Sequence, residues 1–447
     1  MTDIMDYFPY DTPRPSQIKL LKWVEAHWNF YDLMVFQAPV AFGKSVCAIT
    51  IGRWSNEVHG TSTGISTPTN ILVKQYTSEF KDLVQLKSKS QFASGDLYKQ
   101  AKDDFKNAPM KIMNNYTLLA ARAYSSVQTF DEANELVPML QDFEGVKFWE
   151  HVDGFPPVAT VFDLMLWLAG QKGTKYAKAL KLLEKKPEDY TVSIEEAFYR
   201  GKIQGCLRIY PLTPRNNKPI LWPPSKVKKL LLMSATINKP DIVDLGLNNR
   251  RVGIIEVPSD IPSERRPFIY KPQGSMSHTN WPTTIDSVIG FMKQAHNFYK
   301  GRGFIHTTYA LKDQLLERVP EHVVVGHGYH NKMDLLNKWM YSDDCRTFIG
   351  CGLTTGLNLK GDSFKWQAIT KCPFPDLGDI AVAAKAKNNP EWYAWETIKQ
   401  IVQAYGRICR SPDDHGVTYM LDSDFERLYT GYNELFPQWF KDAVVGI

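Results

Sequence analysis

Short, near-continuous apolar runs recur along the chain, each closing in a polar or glycine-containing turn that opens a helix-like segment. "DLMVFQAP" precedes "GKSVCAITIGRW", "KKLLLMSAT" precedes "INKPDIVDLG", "GRGFIHTTY" precedes "ALKDQLLERV", and "CRTFIGCG" renews the pattern further on. A strand apolar on both faces is one buried between two helical layers, so the alternation predicts an α/β chain with parallel β-sheets flanked by helices. Ligands of such sheets sit beyond the carboxyl ends of the strands, where the loops are. Function is therefore sought at strand ends.

The runs fall into two series, which predicts one domain over residues 1–250 and a second over 251–447. The join, "VPSDIPSERRPF" (257–268), is rich in Pro, Ser and charge and reads as a linker. Leu/Lys-rich text over about 140–205, including "TKYAKALKLLEKKPEDY" and "SIEEAFYRGKI", interrupts the first series and reads as a small helical insertion.

Composition narrows the class. A hydrophobic share of 43% and a charged share of 23% over 447 residues are those of a soluble globular protein with room for two or three cores. A net charge of +5 hints at an acidic partner without establishing one. Six cysteines lie scattered with no C-x-x-C pair, which speaks against a zinc site or a secreted disulfide framework and for a cytoplasmic setting. The start, "MTDIMDYFPY", lacks the basic and apolar regions of a signal peptide. The most apolar window, "VATVFDLMLWLAG" (158–170), is too short to span a bilayer, so no membrane partner is expected.

Candidate chemistry sits at the ends of the runs. In "QAPVAFGKS", Gly43 permits close backbone approach, Lys44 can reach the β/γ-phosphates, and Ser45 can offer its hydroxyl to Mg²⁺. Ala38 stands at the loop entrance where glycine is usual, and Ala41 and Phe42 stiffen the middle. "VQTFDEANEL" puts Asp131 and Glu132 at a strand end, where one acid can hold Mg²⁺ and the other activate water. "LLLMSATI" is a buried strand ending in Ser234, Ala235 and Thr236. In "QAYGRICRS", Gln403, Arg407 and Arg410 fall within two turns of a helix, and Arg407 and Arg410, at i and i+3, share a face and can present two guanidinium groups to one phosphate.

The ordered set "APVAFGKS", "STPTNILVKQ", "DEAN", "MSAT", "GLTTGLNLKGD" and "QAYGRICRSPDDHG" resembles the superfamily-2 helicases. "YDTPRPSQ", "SDIPSERRPF", "ITKCPFPDLGD" and "CRSPDDHGVTYMLDSDF" make it most similar to their XPD/DinG branch. The resemblance implies two RecA-like domains with ATP and Mg²⁺ between them. It assigns Arg14 and Gln17 to the adenine end of ATP. Gln403, Arg407 and Arg410 become the arginine-finger segment, Ser234–Thr236 the coupling strand end, and Gly356 and Asn358 the loop joining ATP to nucleic acid. Strand-contacting loops map to Thr67, Pro68, Thr69, to Asn115 and Tyr116, to His306, Thr307, Thr308 and to Thr354, Thr355. Single-stranded or tailed DNA is the implied partner, with RNA open, for a monomeric 5′→3′ motor.

The chain departs from that branch in places. Many relatives hold an iron–sulfur cluster with four cysteines after the phosphate loop; this sequence has none between Cys47 and Cys206, so no cluster is expected. Thr355, Asn358, Asn134 and Ala41 replace the branch's usual residues, which leaves a clamp or recruitment module with weakened ATPase as the alternative, besides an RNA-directed ATPase. The lack of accessory domains fits a minimal phage- or plasmid-borne form acting in a bacterial host.

Overall fold

The computed structural model describes the chain apart from residues 1, 145, 151–160, 186–188, 200–201, 214–225, 301, 328–331, 353–363, 410 and 412. The first half carries β1 (Leu33–Gln37), β2 (Thr63–Thr67), β3 (Val84–Gln85), β4 (Met110–Asn114) and β5 (Val127–Asp131). After an insertion with β6 (Val146–Glu150), β7 (Tyr190–Tyr199) and β8 (Lys202–Pro211) come β9 (Lys229–Ser234) and β10 (Val252–Glu256). Among the described residues these form one parallel sheet in the order β10-β1-β9-β5-β2-β4-β3.

The second half carries β11 (Phe268–Gly274), β12 (Gly303–Thr307), β13 (Val324–Gly326), β14 (Thr347–Cys351), β15 (Trp366–Ile369), β16 (Val417–Asp422) and β17 (Val444–Val445). They form a second parallel sheet, ordered β13-β14-β12-β15-β16-β11-β17. The α/β class with two parallel sheets flanked by helices is thus as the apolar runs predict.

The period of two along a strand explains why these runs are apolar throughout. Met34 and Phe36 of β1 pack with the helices Pro15–His27 and Lys44–His59 on one face. Leu33 and Val35 pack on the other face with Leu136, Leu140 and Ile242. Leu231 and Met233 of β9 share the first face, Leu230 and Leu232 the second. All five β1 residues are buried, and each large apolar side chain so placed contributes about 1.5–3 kcal/mol. Phe304 and Phe348 of the second sheet likewise face opposite to Ile305 and Ile349.

Two boundaries differ from the sequence reading. β10 pairs with β1 in parallel register, Leu33 opposite Val252, so the first sheet runs on past residue 250. The insertion is not wholly helical: helices Val161–Gly170 and Thr174–Lys185 pack on a three-stranded antiparallel sheet ordered β6-β8-β7. The segment "SIEEAFYRGKI" is mostly hairpin, with Tyr199 opposite Lys202. Its paired glutamates suggest a helix, but Thr191, Val192, Ile194, Phe198 and Tyr199 are strand formers. The join between the sheets is tied down locally: Asp260 accepts from both the backbone N–H and the hydroxyl of Ser16 at the start of the first helix.

Candidate active site

β1 ends at Gln37, and the chain turns through residues 38–43 into the helix Lys44–His59. Ala38 is fully buried, its N–H donating to Ser234 O at 3.0 Å, so the loop leaves the sheet already tied to the end of β9. Phe42 is buried and its N–H donates to Pro39 O at 3.3 Å, closing a tight turn. Gly43 sits at φ 87°, the left-handed region open to glycine, and a Cβ there would lie 2.5 Å from Gln17 Nε2. Ala41 adopts φ 67°, a conformation that costs an L-residue roughly 1–2 kcal/mol. The loop therefore keeps the backbone path a glycine would take, held against local preference by its surroundings.

Those surroundings are Arg14 and Gln17. The Arg14 guanidinium donates to Ala41 O, and the Gln17 amide donates to Phe42 O at 2.9 Å. Gln17 Oε1 in turn accepts the Arg14 N–H at 2.9 Å. Both residues brace the loop from behind.

Asp131 closes β5 and Glu132 follows at φ 51°. A non-glycine residue in that region stores strain, a frequent property of functional sites. Glu132 Oε1 lies 3.6 Å from Lys44 Nζ. Asp131 is buried; Tyr76 donates its hydroxyl to Oδ2 at 2.8 Å, and the Glu132 N–H donates to Oδ1 at 3.1 Å. Burial, then the Glu132 charge, push the Asp131 carboxyl up to about 6, against the opposing pull of Lys44.

From Asn134, two residues beyond Glu132, a chain of polar contacts crosses to the second half of the chain. Asn134 Oδ1 accepts the Ser234 hydroxyl at 2.5 Å, and Ser234 Oγ accepts the Thr236 N–H at 3.2 Å. Thr236 Oγ1 accepts the Gln403 amide at 3.1 Å, and Gln403 O accepts Arg407 Nε at 3.0 Å. Gln403 and Arg407 are buried, and Ala235 packs into the core of the second half. A methyl built on Gly406 would lie 2.3 Å from Val40 Cγ2, so the segment carrying Arg407 abuts the phosphate loop. The positive charge of Arg407 also reaches His306, whose pKa falls to about 4, chiefly through burial.

Charged pairs hold the same boundary. Asp241 follows β9 and accepts from Trp395 Nε1 at 2.9 Å and Lys399 at 3.3 Å, while Lys399 meets Glu396 at 2.8 Å. Burial opposes the charge on Lys399, yet Asp241 and Glu396 outweigh it and hold its pKa above the usual value. Lys385 pairs with Asp244 at 2.6 Å.

The expected strand-contacting residues gather at two clefts. Pro68, Thr69, Asn115 and Tyr116 line one of about 330 Å³ with Glu135 and Pro138. Thr69 and Tyr116 are exposed; Thr67 is buried, its hydroxyl donating to Thr69 O at 3.0 Å. His306, Thr307 and Thr308 border another of about 340 Å³ with Lys371 and Phe374. His306 itself is buried against Gln367 Oε1 at 3.1 Å. Arg410, Thr354, Thr355, Gly356 and Asn358 lie outside the described residues.

Sequence reasoning missed Tyr76, Val40, Gly406 and the Asp241–Lys399 pair. Tyr76 sits with Val73 on the buried side of its helix and reads as core. The pair joins residues 158 positions apart, beyond any periodicity.

The oxygen set of Ser45 and Asp131 suits a hard cation such as Mg²⁺, which takes few protein ligands and fills its octahedron with water and phosphate oxygens. Among the described residues no cluster of three or more His, Cys, Asp or Glu could hold a metal unaided, and no helix is long and apolar enough to cross a membrane.

Residues 293–443 match the family model described as Helicase C-terminal domain. A 68-residue stretch is 26% identical to the Regulator of telomere elongation helicase 1 homolog of Caenorhabditis elegans, taking in 15% of this chain and only 6% of that protein. An apo XPD structure superposes with a TM-score of 0.63 at 13% identity, covering 93% of this chain and 97% of the other. Xpd4 of S. tokodaii gives 0.62 at 12% identity, covering 97% and 100%. The fold is that of the XPD structures, and residues 293–443 are similar to the helicase C-terminal domain, which bears out the resemblance to XPD/DinG-like superfamily-2 helicases read from the motifs.

Proposed function

We propose that this chain is an ATP- and Mg²⁺-dependent motor that moves along single-stranded DNA, 5′→3′, hydrolysing ATP between its two sheets. The observation that carries the reading is the meeting of the phosphate loop with the segment bearing Arg407, Gly406 lying directly against Val40. In this reading Lys44 grips the β/γ-phosphates, and Ser45 and Asp131 hold the cation. Mg²⁺ supplies charge neutralisation for the phosphates. Glu132 takes the proton of the attacking water, and Lys44, 3.6 Å away, orients that carboxylate. Arg407, with Arg410, answers the charge that builds on the γ-phosphate as the leaving oxygen departs. Gln403 orients water and links through Thr236 and Ser234 to Asn134, so loss of the γ-phosphate is felt on both sides of the cleft. Thr69 and Tyr116 offer an exposed track for a strand. The same reading has no iron–sulfur cluster, since no cysteine lies between Cys47 and Cys206.

One observation favours a second reading, a nucleic-acid clamp with weakened ATPase: the strained backbone at Ala41, where a glycine would sit free of cost. Strand-stimulated ATP turnover that is abolished by Glu132→Gln supports the motor. Turnover that ignores both strand and substitution supports the clamp. Poly-dT against poly-U stimulation at fixed salt separates DNA from RNA direction, and 5′- against 3′-tailed duplexes report polarity.

A further inference from the structure

We propose that Tyr76 is a positioning residue for Asp131, holding the cation-binding carboxylate in one orientation; the inference rests on the nucleotide-site reading above. Tyr76 lies on the helix Asn70–Glu79, 55 residues from Asp131, and no motif calls for a hydroxyl there. Its ring is anchored in the core with Val73, Phe80 and Leu83, the Phe80 ring centroid 6.3 Å away. Only the hydroxyl leaves that apolar setting, and it reaches Asp131 Oδ2 at 2.8 Å.

The carboxylate is thereby gripped at both oxygens. Oδ1 takes the Glu132 backbone N–H at 3.1 Å and Oδ2 takes the phenol, so rotation of the carboxylate plane breaks one bond or the other. Each oxygen accepts one donor from these two groups and keeps a second lone pair for a cation or its water. A backbone N–H alone would leave Oδ2 free to swing in a buried site. A hydrogen bond of this kind, one step back from a metal ligand, sets the ligand's direction and affinity.

A purely structural hydroxyl would affect stability and leave cation binding alone, which separates the two roles. The probe is a fluorescent ADP analogue titrated with Mg²⁺ on the full chain, wild type against Tyr76→Phe, which keeps the ring and its packing. Tyr76→Leu serves as a second hydroxyl-free variant, with thermal midpoints recorded for all three. The Mg²⁺ concentration for half-maximal nucleotide binding is expected to rise about tenfold in both variants. Binding of the analogue in EDTA is expected to stay at the wild-type level. A Mg²⁺ requirement within about twofold of wild type in folded Tyr76→Phe overturns the inference and leaves the nucleotide site standing. A wild-type chain whose nucleotide binding ignores Mg²⁺ altogether overturns the site reading, and the inference with it.

Discussion

Gln403 donates its side-chain amide to Thr236 Oγ1 at 3.1 Å, joining the helix Pro390–Tyr405 of the second half to the end of β9 in the first. Both groups are buried. Removing the acceptor with Thr236→Val leaves a buried amide without that partner and should weaken closure of the cleft. Turnover of ATP is expected to fall about tenfold, or ~1.4 kcal/mol, the worth of one such bond. Affinity for a non-hydrolysable ATP analogue, measured alongside, should change little.

Arg407 should act on the reaction more than on binding. Arg407→Ala is expected to lower the ATPase rate about 10³-fold, the lower range for an arginine finger, while nucleotide affinity stays within a few-fold of wild type. Steady-state turnover and equilibrium binding of a fluorescent nucleotide check the split. Equal loss in both would place that guanidinium on the ground-state nucleotide.

Lys399 is buried between Asp241 and Glu396, so Lys399→Met strands a carboxylate beneath apolar side chains. The expected cost is about 3–5 kcal/mol in urea unfolding, and Lys399→Met combined with Asp241→Asn should recover part of it. Independent costs that simply add would show that the two do not interact.

His306 supplies a pH dependence. Burial, with the Arg407 charge adding to it, lowers its pKa from 6.5 in the unfolded chain to about 4. Between those values the unfolded chain binds a proton that the folded chain refuses, so stability is full above pH 6.5 and is lost as the pH falls toward 4. The contribution amounts to about 3 kcal/mol. His306→Gln should flatten the unfolding free energy over that window by a comparable amount, as followed by urea titrations at stepped pH.

Much of this was legible in one dimension. The apolar runs LMVFQ and KLLLMS carry both faces of a central strand, so buried parallel sheets follow from local pattern alone. Lys44 and Glu132 were legible because parallel strands bring their carboxyl ends to one edge wherever the strands fall in the sheet. The hairpin β7–β8 was not, since Glu195 and Glu196 mask an alternation that cross-strand pairing stabilises.

The sequence by itself determined the buried central strands such as β1, β5 and β9, where each of these ends, and therefore which polar groups crowd that edge of the sheet; these are consequences of short-range sterics and hydrophobic period. The fold decided what no spacing encodes: that β10 completes the first sheet, that Tyr76 reaches Asp131, that Gly406 meets Val40, and that Lys399 finds Asp241. Each of these is a contact between surfaces formed only after the sheets and their helices have packed, so its partners are chosen by shape and buried charge rather than by distance along the chain.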